Sequence, residues 1–173
     1  MNLLTKPLTI DEIEFRVQSI NAKGAIILPY KDARADMIRL DEAVGANNWK
    51  REHKVINGHN YCIVSIWDQD KNQWVDKMDV GTESNTEAVK GEASDAFKRA
   101  CFNWGIGREL YDYPLIFVKL TNEELANTKI FQYRLRDWKW HSEFDNGKLT
   151  YLGAHDGKTI RFEYGKRKTI NKR

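Results

Sequence analysis

The strongest constraint on how this chain folds is a dipeptide, Asn57-Gly58. Both residues tolerate the positive φ of a two-residue type I′ turn, the turn whose twist matches that of antiparallel strands. Period-two text flanks it and predicts strands over residues 49–56 and 59–67. A polar stretch at 68–72 makes the next turn, and 73–80 supplies a third strand. The segment therefore reads as a three-stranded antiparallel meander.

Two helical stretches bracket that meander. In residues 30–44, Ala33, Met37, Leu40 and Val44 recur at helical spacing, and Gly45 supplies a stop. In residues 86–104, Val89, Ala93, Ala96, Phe97, Ala100 and Trp104 share one face, slimmed further by Gly91 and ended by Gly105 and Gly107. A face this thin lets a helix lie close against a sheet or another helix. Upstream, Thr9 and Glu12 have capping-box spacing and predict a short helix through Phe15, with extended chain at 16–20, a turn at Gly24 and an apolar run at 25–28. After Pro114, strands are predicted at 133–144, 148–153 and 159–164, separated by Asp145-Asn146-Gly147 and Asp156-Gly157 turns. The order implies an α+β fold: a β-β-β-α core, its antiparallel meander packed on a long helix, with additional C-terminal strands. We expect a core over residues 1–120, a β-rich extension of the same domain over 121–165, and a basic tail over 166–173.

Charge narrows the range of partners. The 173 residues hold 28 Lys+Arg against 25 Asp+Glu, a net charge of +3. The tail KRKTINKR alone has five basic groups and no acid, which leaves the other 165 residues at −2. A body this close to neutral does not wrap polyanions by bulk charge, so nucleic acid would have to be held in a local groove. The tail reads as an accessory for non-specific DNA capture or as a solubility segment. A mean hydropathy of −0.67 and the lack of a long apolar run exclude a membrane-spanning helix. The N-terminal text has no apolar run of secretory type. Cys62 and Cys101 sit in apolar contexts and read as buried thiols of a reducing compartment, and the four histidines lack zinc spacing.

Motifs for bond chemistry are weak. The segment from Gly153 to Thr159 resembles a phosphate loop but is one residue short and runs into strand-like text, so an Asp-Gly hairpin explains it better. Glu52 and Lys54 have the spacing of a nuclease motif, with Asp41 as remote metal ligand, but Asp41 falls inside a predicted helix. Asp76 and Asp79 read as solvated strand residues. No cofactor or metal is expected.

The stretch GTESNTEAVKGEASDAFKRACFNWGIGRELYDYP at 81–114 is more distinctive. It resembles the signature of phage and bacterial single-strand annealing proteins of the Rad52-like superfamily, related to the bacterial DNA-damage-response A proteins. EFRVQSI at 14–20, LPYKDARADMIRLDEAVGANNW at 28–49 and the meander agree with it in order, so the resemblance spans about residues 12–118. It implies a β-β-β-α fold, assembly into a homo-oligomeric ring or helical filament, and ATP-independent annealing of single-stranded DNA without bond chemistry. Implied partners are single-stranded DNA and further copies of the chain, with a single-strand-binding protein or a phage exonuclease as candidate protein partners and no membrane. A compact chain without the long C-terminal region of eukaryotic members suggests a phage source and a bacterial host cytoplasm. A DNA-end protector that does not anneal shares the same groove. An adaptor using the strands after Pro114 is a further alternative.

On their own chemistry, Lys98 and Arg99 lie away from the apolar stripe of the second helix, Arg99 roughly opposite its centre and Lys90 and Lys98 nearer its edge, where they suit phosphates or plain solvent. Arg16 interrupts an apolar, strand-like run, a costly place for an unpaired charge. The resemblance implies a DNA-binding set with Lys98 and Arg99 as the contacting pair, Arg16 as the groove arginine, Tyr30 as the tyrosine that opens the first helix, and Lys90 as a groove lysine. Phe102 stands where eukaryotic members often carry another basic residue, so this groove is weaker or Phe102 packs. Arg51, Lys54 and His59 near the hairpin tip form either a secondary DNA site or a solvated hairpin. Among the tryptophans, Trp104 reads as core, Trp67 and Trp74 as a cross-strand pair, and Trp138 and Trp140 as either core or a stacking platform.

Overall fold

The computed structural model describes residues 2–82 and 88–167, without the side chains of 88–90. The chain divides into two compact units: Met1–Pro7 with Lys31–Arg108, and Leu8–Tyr30 with Glu109–Arg173.

The first unit holds α1 (Ala33–Val44), the antiparallel sheet β3 (Trp49–Ile56), β4 (His59–Asp68) and β5 (Gln73–Val80), and α2 (Ala88–Asn103). Asn57 and Gly58 have φ of 53° and 81°, the paired positive values of the expected tight turn, and Ile56 faces His59 in register. The meander thus forms where the dipeptide placed it, and β4 is its central strand. The buried side chains Cys62, Val64 and Ile66 of β4 meet Ala96, Phe97, Ala100 and Cys101 of α2, with Leu40 of α1 completing the core. The thin helix face has its counterpart in Gly81. A Cβ there would stand 2.1 Å from the Glu92 carbonyl oxygen of α2, so only glycine lets the end of β5 approach the helix so closely.

The first helix begins later than the sequence implied. Tyr30 is the last residue of β2 (Gly24–Tyr30), paired with Glu14, and the helix is opened by Asp32, whose carboxylate accepts from the Arg34 and Ala35 N–H groups. A capping carboxylate satisfies amide groups that a tyrosine cannot, which moves the start to Ala33. The expected start of the second helix, at residue 86, lies outside the described residues.

One buried ion pair ties α1 into this unit. Lys31 and Asp36 are almost wholly buried; the Lys31 ammonium donates to Asp36 and to the Ile106 carbonyl and lies 4.0 Å above the Phe102 ring. Phe102 therefore packs over a buried cation. Burial pushes the Asp36 carboxyl up to about 7, against the opposing pull of Lys31. Cys62 and Cys101 are free and buried, and burial pushes both thiols upward, Cys62 to about 11.

The second unit has two antiparallel sheets. One is ordered β1-β2-β6, from β1 (Glu14–Asn21), β2 and β6 (Ile116–Val118); the other is β7 (Lys139–Asp145), β8 (Lys148–His155) and β9 (Ile160–Gly165). Ala25, Ile27, Ile116 and Val118 from the first share a core with Leu152 and Ala154 from the second. Two expectations are corrected here. The capping box exists, with the Glu12 carboxylate accepting from the Thr9 N–H at 2.7 Å, but it supports only a 3₁₀ turn, Ile10–Glu12, because β1 begins at Glu14. Residues 133–138 are not strand. They end α4 (Thr128–Arg134), which follows α3 (Asn122–Ala126), and continue as a 3₁₀ turn, because Thr121 and Asn127 cap those helices and Phe131 and Leu135, four apart, both enter the core. The Gly153–Thr159 segment is the end of β8 followed by the β8–β9 turn, with Gly157 at a φ of 92°, as the hairpin reading expected.

Arg161 of β9 locks this unit. It donates to both Glu124 carboxylate oxygens at 3.0 and 2.8 Å, to Asp156 at 2.9 Å and to the Lys119 carbonyl, and its guanidinium lies 4.6 Å above the Trp138 ring. Burial would raise the Glu124 carboxyl, but the hydrogen bonds from Arg161 and Thr121 outweigh it and hold the group below its usual range. Asp156 is held lower still, chiefly by the Thr159 N–H and with help from Arg161. Groups with depressed values contribute stability above their unfolded values and lose it as pH falls through the folded ones. Arg161→Met leaves Glu124 buried without its cation. At neutral pH the expected loss, read by urea unfolding, is about 3 kcal/mol. The wild-type fall in stability below about pH 5 becomes shallower in the variant.

Candidate nucleic-acid interface

Lys98 and Arg99 sit on α2, held against the sheet by the small residues just described. Cys101 joins the buried stripe, and Arg99 lies on the flank facing β5. There Arg99 Nε meets Asp79 Oδ1 at 3.3 Å, with both side chains partly exposed, and Asn103 Nδ2 reaches the other Asp79 oxygen at 3.4 Å. Asp79 is thus more than a solvated strand residue: it orients the helix cation. Lys98 is half-buried, and its charge acts on Asp36 of α1. Successive helical residues diverge by about 100°, so the two cations flank α2 on different sides. Lys90 belongs to α2, but its side chain lies outside the described residues.

Arg16 and Tyr30 come together in the second unit. The Arg16 guanidinium lies 3.8 Å above the Tyr30 ring and 3.3 Å from Glu14 Oε2, and the Tyr30 hydroxyl donates to the same carboxylate. Adjacent strand residues face opposite ways. Phe15 and Val17 therefore pack on the core, while Glu14 and Arg16 are exposed. The side chain of Arg16 is 66% exposed, so the costly buried charge inferred from its apolar neighbours does not arise. What the sequence missed is the ring beneath it, because Tyr30 reaches Arg16 only through the β1–β2 register.

The hairpin residues spread out instead of converging. Arg51 pairs with Val64 on the helix-facing side of the sheet and lies 4.7 Å over Phe97; Lys54 pairs with Tyr61 on the other face, beside Glu52; His59 is exposed at the start of β4. Asp41 of α1 accepts from the Trp49 indole at 2.6 Å, which gives it a structural partner. Among the described residues, no group of three or more His, Cys, Asp or Glu side chains is placed to hold a metal ion, and no helix is long and apolar enough to cross a membrane.

The tryptophans divide. Trp67 and Trp74 face each other edge-on at 5.4 Å across β4 and β5. Trp104 packs against the core and donates to the Val64 carbonyl at 3.0 Å. Trp138 is buried just before β7, whereas Trp140 is half-buried with its ring stacked on Phe15 at 3.7 Å. In the basic tail only Lys166 and Arg167 fall within the described residues, and Arg167 lies 3.8 Å from Glu143.

Comparison with known proteins gives this arrangement a family. The single-stranded DNA-binding protein DdrA of Deinococcus radiodurans is 34% identical over 115 residues, covering 64% of this chain and 54% of that protein. The DdrA of Deinococcus deserti is 36% identical over 92 residues, covering 52% of this chain and 44% of that one. The chain thus spans about half the length of the curated relatives it matches. A family model described as Rad52/22 family double-strand break repair protein matches residues 1–129, a span that includes Arg16, Tyr30, Lys98 and Arg99. The chain belongs to the Rad52/22 family.

Proposed function

We propose that this protein binds single-stranded DNA and anneals complementary strands during repair of double-strand breaks, without ATP, as a homo-oligomer. The observation that carries the reading is the family match over residues 1–129, inside which α2 presents Lys98 and Arg99 and the exposed face of β1 presents Arg16. The names of the two DdrA relatives supply the polymer class. The chemistry suits a backbone-holding role. Guanidinium and ammonium groups neutralise phosphates and leave base edges free, so pairing with a second strand supplies specificity and driving force. Repetition around an oligomer turns a few cations per subunit into a continuous track, which reconciles a near-neutral body with polyanion binding. Ring or filament geometry, recruitment of a single-strand-binding protein or an exonuclease, and action in a bacterial cytoplasm belong to the same proposal.

Two measurements test it. Annealing of complementary oligonucleotides by Lys98→Ala/Arg99→Ala is expected to be at least about tenfold slower than wild type, with a shallower dependence of binding on salt. A wild-type rate in a folded double variant would overturn the groove assignment. Asp79→Asn probes the same cations from the other side. Removal of the carboxylate that holds Arg99 is expected to raise single-stranded DNA affinity a few-fold at low salt, a gain that vanishes as salt screens it. An unchanged or weaker affinity by fluorescence anisotropy would place Arg99 away from the strand.

A further inference from the structure

The second unit contains an open pocket of about 780 Å³, walled by the Ile10–Glu12 turn and β1 on one side and residues 132–140 on the other. All of the second wall lies past residue 129, where the family match ends. We infer that this pocket takes a nucleobase of bound single-stranded DNA, with the adjoining phosphate on Arg136 and Lys139. The inference rests on the reading of the protein as a single-stranded DNA binder and extends its DNA-binding surface to residues that the family match does not reach.

Three features carry it. The wall is aromatic and ordered: the Phe15 and Trp140 rings are stacked with only 1° between their planes, and Trp138 stands 6.3 Å from Trp140. Phe15 fixes one face of the Trp140 ring, so that an incoming base meets a surface that needs no ordering. The charged lining is three cations, Arg16, Arg136 and Lys139, against two carboxylates, Asp11 and Glu14. Arg16 lines the pocket and is balanced by Glu14, whereas Arg136 and Lys139 are exposed and have no ion-pair partner among the described residues. Finally, the pocket is of a size that accepts small planar ligands, in the range of roughly 300–1,000 Å³. An aromatic wall beside exposed cations is the combination that holds single-stranded nucleic acid, the ring stacking a base of any sequence while the cations take the backbone. Arg16 belongs both to this pocket and to the family-matched strand β1, so a strand lying on β1 has a base within reach of it.

The test compares an oligonucleotide carrying its bases with an abasic one of equal length and equal phosphate number, by fluorescence anisotropy. The wild-type protein is expected to bind the base-bearing strand on the order of tenfold more tightly. Trp140→Leu is expected to remove most of that difference. Arg136→Ala/Lys139→Ala, which changes only exposed side chains, is expected to weaken both strands and to lower the salt slope by about one for each phosphate no longer neutralised. Equal wild-type binding of the two strands, or wild-type affinity and salt slope in Arg136→Ala/Lys139→Ala, would overturn the pocket even if Trp140→Leu failed to fold. A wild-type protein that bound neither strand would instead overturn the broader reading.

Discussion

The close approach of α2 to the β3–β4–β5 sheet is the constraint on which the first unit depends. It requires alanines at 96 and 100 on the helix and the absence of a side chain at Gly81, where any Cβ would meet the helix backbone. Because the backbones are this near, the helix cannot rotate without driving Phe97 or Cys101 out of a fully buried site. Its polar residues are therefore fixed in direction by packing. That is how two adjacent cations, Lys98 and Arg99, acquire defined and different surroundings: an acidic helix neighbour for one and a strand aspartate for the other.

Polar groups placed inside each unit act as locks. Lys31 and Asp36 are buried together, and a carbonyl and an aromatic ring complete the shell around the ammonium. Arg161 has the corresponding role in the second unit, where it gathers Glu124, Asp156 and a backbone carbonyl while its guanidinium lies over the Trp138 ring. A buried pair of this kind adds little over well-packed apolar groups, but removal of one partner costs several kcal/mol, about 3–5. Such pairs restrict the arrangements the chain can adopt. The proposed base pocket has the opposite character, since its exposed cations Arg136 and Lys139 have no ion-pair partner within the described residues and remain available to a ligand.

Strand register converts sequence neighbours into separate sites and distant residues into one. Arg51 and Lys54 are three apart on one strand and so face opposite sides of the sheet, which removes the convergence that their proximity in sequence invited. Arg16 and Tyr30 are fourteen positions apart, and antiparallel pairing stacks one on the other. Phe15 and Trp140 meet face to face from still farther apart, 125 positions in the chain.

By itself the sequence determined what depends on local geometry. Asn57-Gly58 placed the meander, the recurrence of small apolar residues at helical spacing placed α2, and the cluster of residues 81–114 pointed to the family. Tyr30 reads as helix in the sequence and is strand in the fold, because the capping carboxylate of Asp32 sets the helix start at Ala33. Residues 133–138 read as strand and are helical, because Phe131 and Leu135 are buried at helical spacing only when the core of the second unit is present. Tertiary structure decided which charges are balanced: Arg16 is exposed over Tyr30, Arg99 is held by Asp79, Lys31 is buried with Asp36, and Arg136 and Lys139 have no ion-pair partner among the described residues. Local pattern fixes how a backbone turns. The partner of a charge depends on which strands and helices the core brings beside it, and that information is spread over the whole chain.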